Sequence, residues 1–173
     1  MLPMLVLTMA ACDSKNGSTT KTESKDSSNA KMDYAYTIKN PDQWEQGDKT
    51  NTMNVLKSLK AYENGNIDET VSYFGDSVQL RFDEMDVKLS NDSLKAMFKK
   101  SRAANKSLKV DMHDWESVKG KVTNDEYVSL WYTQTWEDMK GKVDSLSVMN
   151  DIKIKNGKIV ELDEKTRKFP KKG

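Results

Sequence analysis

Between residues 50 and 64, Met53, Leu56, Leu59 and Tyr62 recur at three-residue spacing, with Lys57 and Lys60 between them. That spacing predicts a helix with one apolar stripe. Asn64-Gly65-Asn66 would end it, because glycine accepts the left-handed conformation that closes many helices. Asp68 and Glu69 open a second, short helix reaching Phe74, with acidic residues at the positive end of the helix dipole. Residues 78–82 alternate Val, Gln, Leu, Arg, Phe, the period-two pattern of a half-buried strand. A third helix is predicted over 91–105, with Leu94, Met97, Phe98 and Ser101 on one face and Ser90 or Asn91 as its cap. Four strand-like runs follow at 108–118, 127–137, 143–155 and 158–164, and the Asn156-Gly157 pair between the last two is the preferred two-residue hairpin turn.

Helices followed by a meander of long strands make an α+β plan. The parity of the strands sorts their side chains. One face carries Leu108, Val110 and Met112, then Val128, Leu130, Tyr132, Gln134 and Trp136, then Leu146, Val148, Asn150, Ile152 and Ile154. This mostly apolar face should pack on the helices. The other carries Asp111, His113, Trp115 and Ser117, then Ser129, Trp131, Thr133 and Thr135, then Ser147, Met149 and Asp151. A bulge in a long strand would exchange part of this assignment.

The first twelve residues hold no charge, and Met9-Ala10-Ala11-Cys12 places small residues directly before the single cysteine of the chain. The run is too short to cross a bilayer, which needs about 20 apolar residues. It resembles the bacterial lipobox, in which the cysteine becomes the lipidated first residue of the mature protein. It departs from that pattern in having no Lys or Arg ahead of the apolar run, as a truncated signal peptide would. Residues 13–31 are rich in Ser, Thr and Lys and contain no aromatic and no large aliphatic side chain. Such a segment cannot bury enough apolar surface to order itself. As a flexible tether it would span roughly 25 Å. The expected organisation is therefore a signal peptide over 1–11, lipidated Cys12 with a tether over 12–31, a lead-in over 32–48, a folded domain over 49–168 and a basic tail over 169–173. A lipidated Cys12 would place the protein in a bacterial cell envelope, held to a membrane by its N-terminal lipid.

The segment from Leu56-Lys-Ser-Leu-Lys-Ala-Tyr-Glu-Asn-Gly-Asn-Ile-Asp-Glu-Thr-Val-Ser-Tyr to Phe74, with Asp76 and a strand after it, resembles the nuclear transport factor 2-like (NTF2-like) superfamily, including its SnoaL-like branch. Trp131-Tyr-Thr-Gln-Thr135 and Lys155-Asn-Gly-Lys-Ile159 extend the resemblance over residues 49–165. It implies a cone, with a curved mixed or antiparallel sheet wrapped around three N-terminal helices and a ligand site inside. It also implies a homodimer through the outer sheet face. The pocket candidates are Tyr73, Phe74, Phe82, Phe98, Asp114, Tyr132, Gln134 and Asn150. The dimer-face candidates are His113, Trp115, Trp131 and Met149.

Candidate chemistry narrows the function classes. Lys+Arg is 28 against Asp+Glu at 27, for a net charge of +1, a balance that gives no reason to expect nucleic acid as a partner. One Cys and one His exclude a disulfide framework and a Cys/His zinc site. No glycine-rich phosphate loop occurs, and Asp83-Glu84-Met85-Asp86 lacks the spacing and glycine of a calcium loop, reading instead as an acidic turn. No cofactor and no metal is expected. Ketosteroid isomerase, an enzyme of the resembled fold, uses an Asp base and an oxyanion hole built on a Tyr. Ser58 and Phe82 stand at the positions resembling its Tyr and its base, and neither can perform the role. His113 with Asp111 is the minimum for general-base catalysis, but parity puts the pair on the outer face. No catalytic residue is nominated. The expected function is a non-catalytic small-molecule or protein-binding module. A SnoaL-like enzyme of isomerase, cyclase or hydratase type, acting on a small apolar substrate through Asp83 or Asp114 with Tyr132, is the alternative.

The lipid anchor has a direct test. The chain expressed in a bacterium should enter the detergent phase on Triton X-114 partition, and Cys12→Ala should remain in the aqueous phase. A Cys12→Ala chain that still partitions with detergent would refute lipidation.

Overall fold

A computed structural model describes residues 34–40 and 42–170. The expected signal peptide, Cys12 and the tether lie outside the described residues, as do residues 171–173 of the expected tail. Residues 34–38 form no helix or strand, and Tyr34, Tyr36 and Ile38 in them are exposed.

From residue 39 onward the chain forms three helices and a seven-stranded sheet. In chain order these are β1 (Trp44–Gln46), α1 (Lys49–Glu63), α2 (Ile67–Ser72), β2 (Phe74–Phe82), β3 (Met85–Ser90), α3 (Asn91–Ala103), β4 (Asn105–Gly120), β5 (Glu126–Asp138), β6 (Val143–Lys155) and β7 (Lys158–Lys168). The strands lie in the order β1-β4-β5-β6-β7-β2-β3, antiparallel throughout except where β2 runs parallel to β7. The α+β class expected from the pattern is therefore present. The helices are not an N-terminal block, however. β1 precedes them, and the β2–β3 hairpin separates α2 from α3.

Two strands occupy stretches read otherwise from the sequence. The lead-in contains β1, paired with the end of β4. The acidic stretch at 83–86 is a two-residue turn, Asp83-Glu84, closed by pairing of Phe82 with Met85. Beyond it Val87 and Leu89 alternate into the core while Arg81 pairs with Asp86. That alternation is the strand signal the acidic cluster obscured. The turn into β7 behaves as its sequence requires. Asn156 (φ 52°) and Gly157 (φ 73°) both adopt positive φ, and Lys155 faces Lys158.

Helix α1 turns a different face to the sheet than its large side chains suggest. Thr52, Val55, Ser58 and Ala61 are buried, Leu56, Leu59 and Tyr62 are partly buried, and Met53 is half exposed. Small residues on the buried face allow close backbone approach, and the Ser58 hydroxyl donates to the Thr70 carbonyl of α2 at 3.0 Å. Leu59 and Tyr62 are left beside the sheet rather than pressed against it. Asp48 caps α1 by accepting from the Thr50 amide, and buried Glu126 at the start of β5 accepts from the Asp48 amide (2.8 Å) and from Asn51 (2.9 Å). Gly47 is required here, because a Cβ would meet Glu126 Oε1 at 3.1 Å and the Ser117 carbonyl carbon at 3.2 Å. In α3 the predicted stripe holds: Leu94 and Phe98 are buried and Ser90 is the cap.

The core lies between the helices and one sheet face, centred on Val128, Leu130 and Tyr132 of β5, Val148 and Ile152 of β6, and Val78 and Leu80 of β2. Strand β4 carries a bulge. Met112 pairs with Tyr132, but Asp114 pairs with Trp131 and Trp115 with Leu130. His113 is the extra residue, and every side chain after it changes face. Trp115 therefore lies on the helix-side face with Leu130, not on the outer face expected for it. Asp114 lies on the outer face with Trp131, where its carboxylate accepts from the Trp115 amide.

Candidate functional site

The helices and the inner sheet face enclose a cavity of about 360 Å³ that opens to solvent. Its walls are mainly apolar: Val55 and Leu59 of α1, Met97 and Phe98 of α3, Phe74 and Phe82 of β2, and Leu130, Ile152, Ile159 and Leu162 of the sheet. Of the eight pocket candidates, Phe74, Phe82, Phe98, Tyr132, Gln134 and Asn150 line it. Tyr73, the C-cap of α2, packs against the core without reaching the cavity, because the chain reverses face between it and Phe74. Asp114 is removed from it by the β4 bulge.

Three polar side chains cross the inner face as a row. Glu164 of β7 pairs directly with Asn150 of β6, and Asn150 pairs with Leu130 of β5, one diagonal step from Tyr132. Directly opposed side chains on neighbouring strands lie about 5 Å apart at Cβ, within reach of one another. Asn150 is buried and needs both neighbours. With its amide oxygen turned to β5, it accepts from the Tyr132 hydroxyl at 3.0 Å, and its nitrogen donates to Glu164 Oε2 at 3.2 Å. This amide orientation is assigned from the hydrogen-bond network. Above the row, Tyr62 of α1 donates to Ser101 of α3 at 3.1 Å, joining the two helices at the cavity wall.

Glu164 was absent from the residues the sequence nominated. The signal lay in β7, where Leu162 and Glu164 share the parity opposite to Glu161 and Asp163. A carboxylate at the inward parity of a strand is the exception that matters. Burial raises its pKa to about 7, the nearby Asp83 carboxylate pushes in the same direction, and the hydrogen bond from Asn150 opposes them. Asp83 comes close because Phe82 is the residue beside Glu164 in the parallel β2–β7 pair, and the turn starts at the next position. Tyr132 is pushed well above the ordinary phenol range, first by burial and then by the Glu164 charge. Burial also raises Tyr62, with the Glu164 charge adding to it and the Arg102 charge opposing. Among the described residues, no Lys, Arg or His lines the cavity. The row can therefore donate or accept hydrogen bonds at its phenols and amide, and hold or release a proton at Glu164 near neutral pH.

The remaining candidates lie on the outer face. His113 is exposed and shares a 3.0 Å hydrogen bond with the Thr133 hydroxyl. Trp131 lies between Asp114 and Met149 in the sheet register. Beyond Met149 is Lys165, which pairs with Asp151 and Asp163, each at 3.1 Å.

No protein-family profile matches the sequence, and no curated protein matches it. Solved structures do match. An NTF2-like protein of unknown function from Burkholderia pseudomallei superposes with a TM-score of 0.59 at 11% identity, covering 69% of this chain and 92% of that one. An LEH-like epoxide hydrolase from M. tuberculosis gives 0.57 at 13% identity, covering 68% and 83%. A cystatin-fold protein from Novosphingobium aromaticivorans gives 0.56 at 16% identity, covering 68% and 99%. The chain has the fold of NTF2-like proteins. At these identities the likeness concerns the fold alone, and the structures that share it include both enzymes and proteins of unknown function.

The raised pKa of Glu164 has a consequence for stability. The native state binds a proton at Glu164 more tightly than the unfolded chain does, so this stabilisation is present below pH 4.5 and is lost as pH rises to about 7. Glu164→Gln removes the dependence. It should stabilise the protein at about pH 8 by about 1–3 kcal/mol, the shift being discounted for partial solvent access, and change little at about pH 4. Urea midpoints of both chains at the two pH values measure it.

Proposed function

We propose that this domain is a small-molecule binding module, held to a bacterial envelope membrane by lipid on Cys12. The observation that carries the binding reading is the cavity itself. It has an apolar wall of several aromatic and aliphatic side chains, with the Tyr132–Asn150–Glu164 row converging on it. Pockets of a few hundred Å³ that are mostly apolar, with a few placed polar groups, are the usual form of a small-ligand site. A fully filled core would not retain a carboxylate on its inner face, because the unpaired charge is costly and no packing is gained. The membrane part is supported by the order of an uncharged run, a cysteine after small residues, and a polar tether.

A second reading is favoured by Glu164 specifically. A carboxyl group that changes charge near neutrality inside a cavity suits proton transfer to or from a bound substrate, and an NTF2-like neighbour is an epoxide hydrolase. The two readings share one site and separate by whether the ligand leaves unchanged.

The outer sheet face is proposed as a homodimer interface. Its support is the apolar pair Trp131 and Met149, adjacent across β5 and β6 and flanked by His113 at the β4 bulge. Interface cores favour aromatic residues and Met. Trp115 is not part of this proposal, since the bulge carries it to the other face.

Gln134→Trp should block the cavity with little effect on the fold, since Gln134 lines it without being fully buried. Small hydrophobic molecules recovered by mass spectrometry from the native chain should be lost from this variant. Their absence from the native chain would remove the binding reading. Recovery of a chemically altered compound with the native chain, but not with Glu164→Gln, would establish catalysis. On the outer face, Trp131→Asp should halve the native mass in solution, and a native chain that is already monomeric would end the dimer proposal.

A further inference from the structure

The ionisable groups that act on the cavity are distributed unevenly. The lining supplies one carboxylate, Glu164 on β7, and the β2–β3 turn brings the second, Asp83, close enough to act on it. The other titratable groups that act on Glu164 or line its cavity are the phenols of Tyr132 on β5 and Tyr62 on α1. β6 contributes the neutral Asn150. Arg102, at the end of α3, acts on Tyr62 but is engaged by the backbone carbonyls of Asn105 and Glu63. Lys165, next to Glu164 in sequence, points to the other face and is held by Asp151 and Asp163. Glu164 thus has one hydrogen-bond donor, Asn150 on Oε2, and Oε1 accepts no hydrogen bond from a described residue.

We infer that the cavity takes a small apolar ammonium ion, an amine on a compact hydrocarbon body, with its charged nitrogen on Glu164 Oε1. This rests on the small-molecule reading above and names the ligand class. A partly buried anion with a second anion beside it and no cation among the described lining residues is an unfavourable arrangement that a cationic ligand relieves. An ammonium group supplies the missing donors and neutralises the pair. The hydrocarbon body fills the apolar wall. Tyr62 and Phe82 at the same cavity add aromatic rings, whose faces attract cations. A carboxylate-bearing ligand would meet two like charges and is disfavoured. A neutral ligand gains the apolar contacts without the charge term.

Linkage fixes the pH dependence. An alkylammonium like that of lysine stays protonated to about pH 10. The cation binds ionised Glu164, so its affinity is full above the carboxyl pKa and declines as pH falls through it. With that pKa at about 7, only about one carboxyl in thirty is ionised at pH 5.5. Reciprocally, bound ammonium must lower the pKa of Glu164.

The test uses 1-adamantylamine and the neutral 1-adamantanol, titrated calorimetrically into the 173-residue chain. Amine binding should weaken about thirtyfold between about pH 8.5 and about pH 5.5, while alcohol binding stays flat. Glu164→Gln should bring the amine down to the alcohol's affinity at both pH values. An independent readout on the native chain is the carboxyl ¹³C titration of Glu164, whose midpoint should fall by about one unit or more with amine and stay put with alcohol. Amine affinity that ignores pH, or that survives Glu164→Gln, overturns this inference but leaves the cavity reading standing. So does a tighter alcohol. Failure of both probes to bind overturns the two together.

Discussion

The structure depends on one buried amide. Asn150 sits at the middle of the inner sheet face with a phenol on one side and a carboxyl group on the other, and its two ends are different. Its oxygen can satisfy the Tyr132 hydroxyl only if its nitrogen turns to Glu164. Orientation is therefore fixed across three strands at once. In a low-dielectric setting a satisfied polar network strengthens its members, and a half-satisfied one is costly. The row holds only while β5, β6 and β7 keep their register, since a one-residue slip would send Tyr132, Asn150 or Glu164 to the outer face. The same row ends at the cavity, so the constraint that specifies the sheet also defines what the cavity can hold.

The space in front of the row is a product of helix α1. Had its largest side chains faced the sheet, Leu56, Leu59 and Tyr62 would have filled the gap. Instead Ser58 and Ala61 make the close contacts, with Ser58 bonded to the backbone of α2, and Leu59 and Tyr62 form a wall. Tyr62 is then tied to α3 through Ser101. Interiors normally leave few voids larger than a water molecule. A cavity of this size survives because its roof is braced by helix-to-helix contacts rather than by filling from below.

Much of this was legible in the sequence where periodicity is the governing physics. Helices α1 and α3 and the four long strands follow from the spacing of apolar residues, α2 follows from the acidic residues that open it, and the last hairpin follows from Asn156-Gly157 needing positive φ at both positions. Six of the eight pocket candidates line the cavity, and for Phe82, Tyr132, Gln134 and Asn150 the reason is parity, which survives wherever the ladder is regular. Parity failed at His113. The sequence Met112-His-Asp-Trp115 carries no glycine or proline to mark a bulge, so Trp115 and Asp114 exchanged faces. The α1 stripe was misjudged by one residue because hydrophobicity favours large side chains, whereas close packing selected small ones. β3 was hidden by charge, its alternation of Val87 and Leu89 being short and preceded by an acidic turn. Glu164 was overlooked because β7 is dense in charge, and only its place in the period-two pattern separates it from Glu161 and Asp163.

The near-neutral net charge of +1 conceals a separation of charge that bears on what the cavity binds. Away from the cavity, cations and anions pair: Lys153 with Asp125 at 2.8 Å, Lys106 with Glu137 at 2.8 Å, Lys165 with two aspartates, and Arg81 with Glu161. Such exposed pairs contribute little individually, but they hold these four cations on carboxylates away from the cavity. Arg81 is the instructive case. It lies one residue from Phe82, yet strand parity turns it to the face away from the cavity and onto Glu161, the β7 neighbour of opposite parity to Glu164. Of the two β7 glutamates, one gains a guanidinium and stays outside. The other is left inside with an amide as its only donor among the described residues and an aspartate behind it. A domain that needed Glu164 only for packing could have met the same volume with Gln and avoided the desolvation cost. Retaining the carboxyl keeps a group that ionises near neutral pH in an apolar cavity, and under the proposed binding role it would let the cavity select among ligands by charge where shape alone would discriminate weakly.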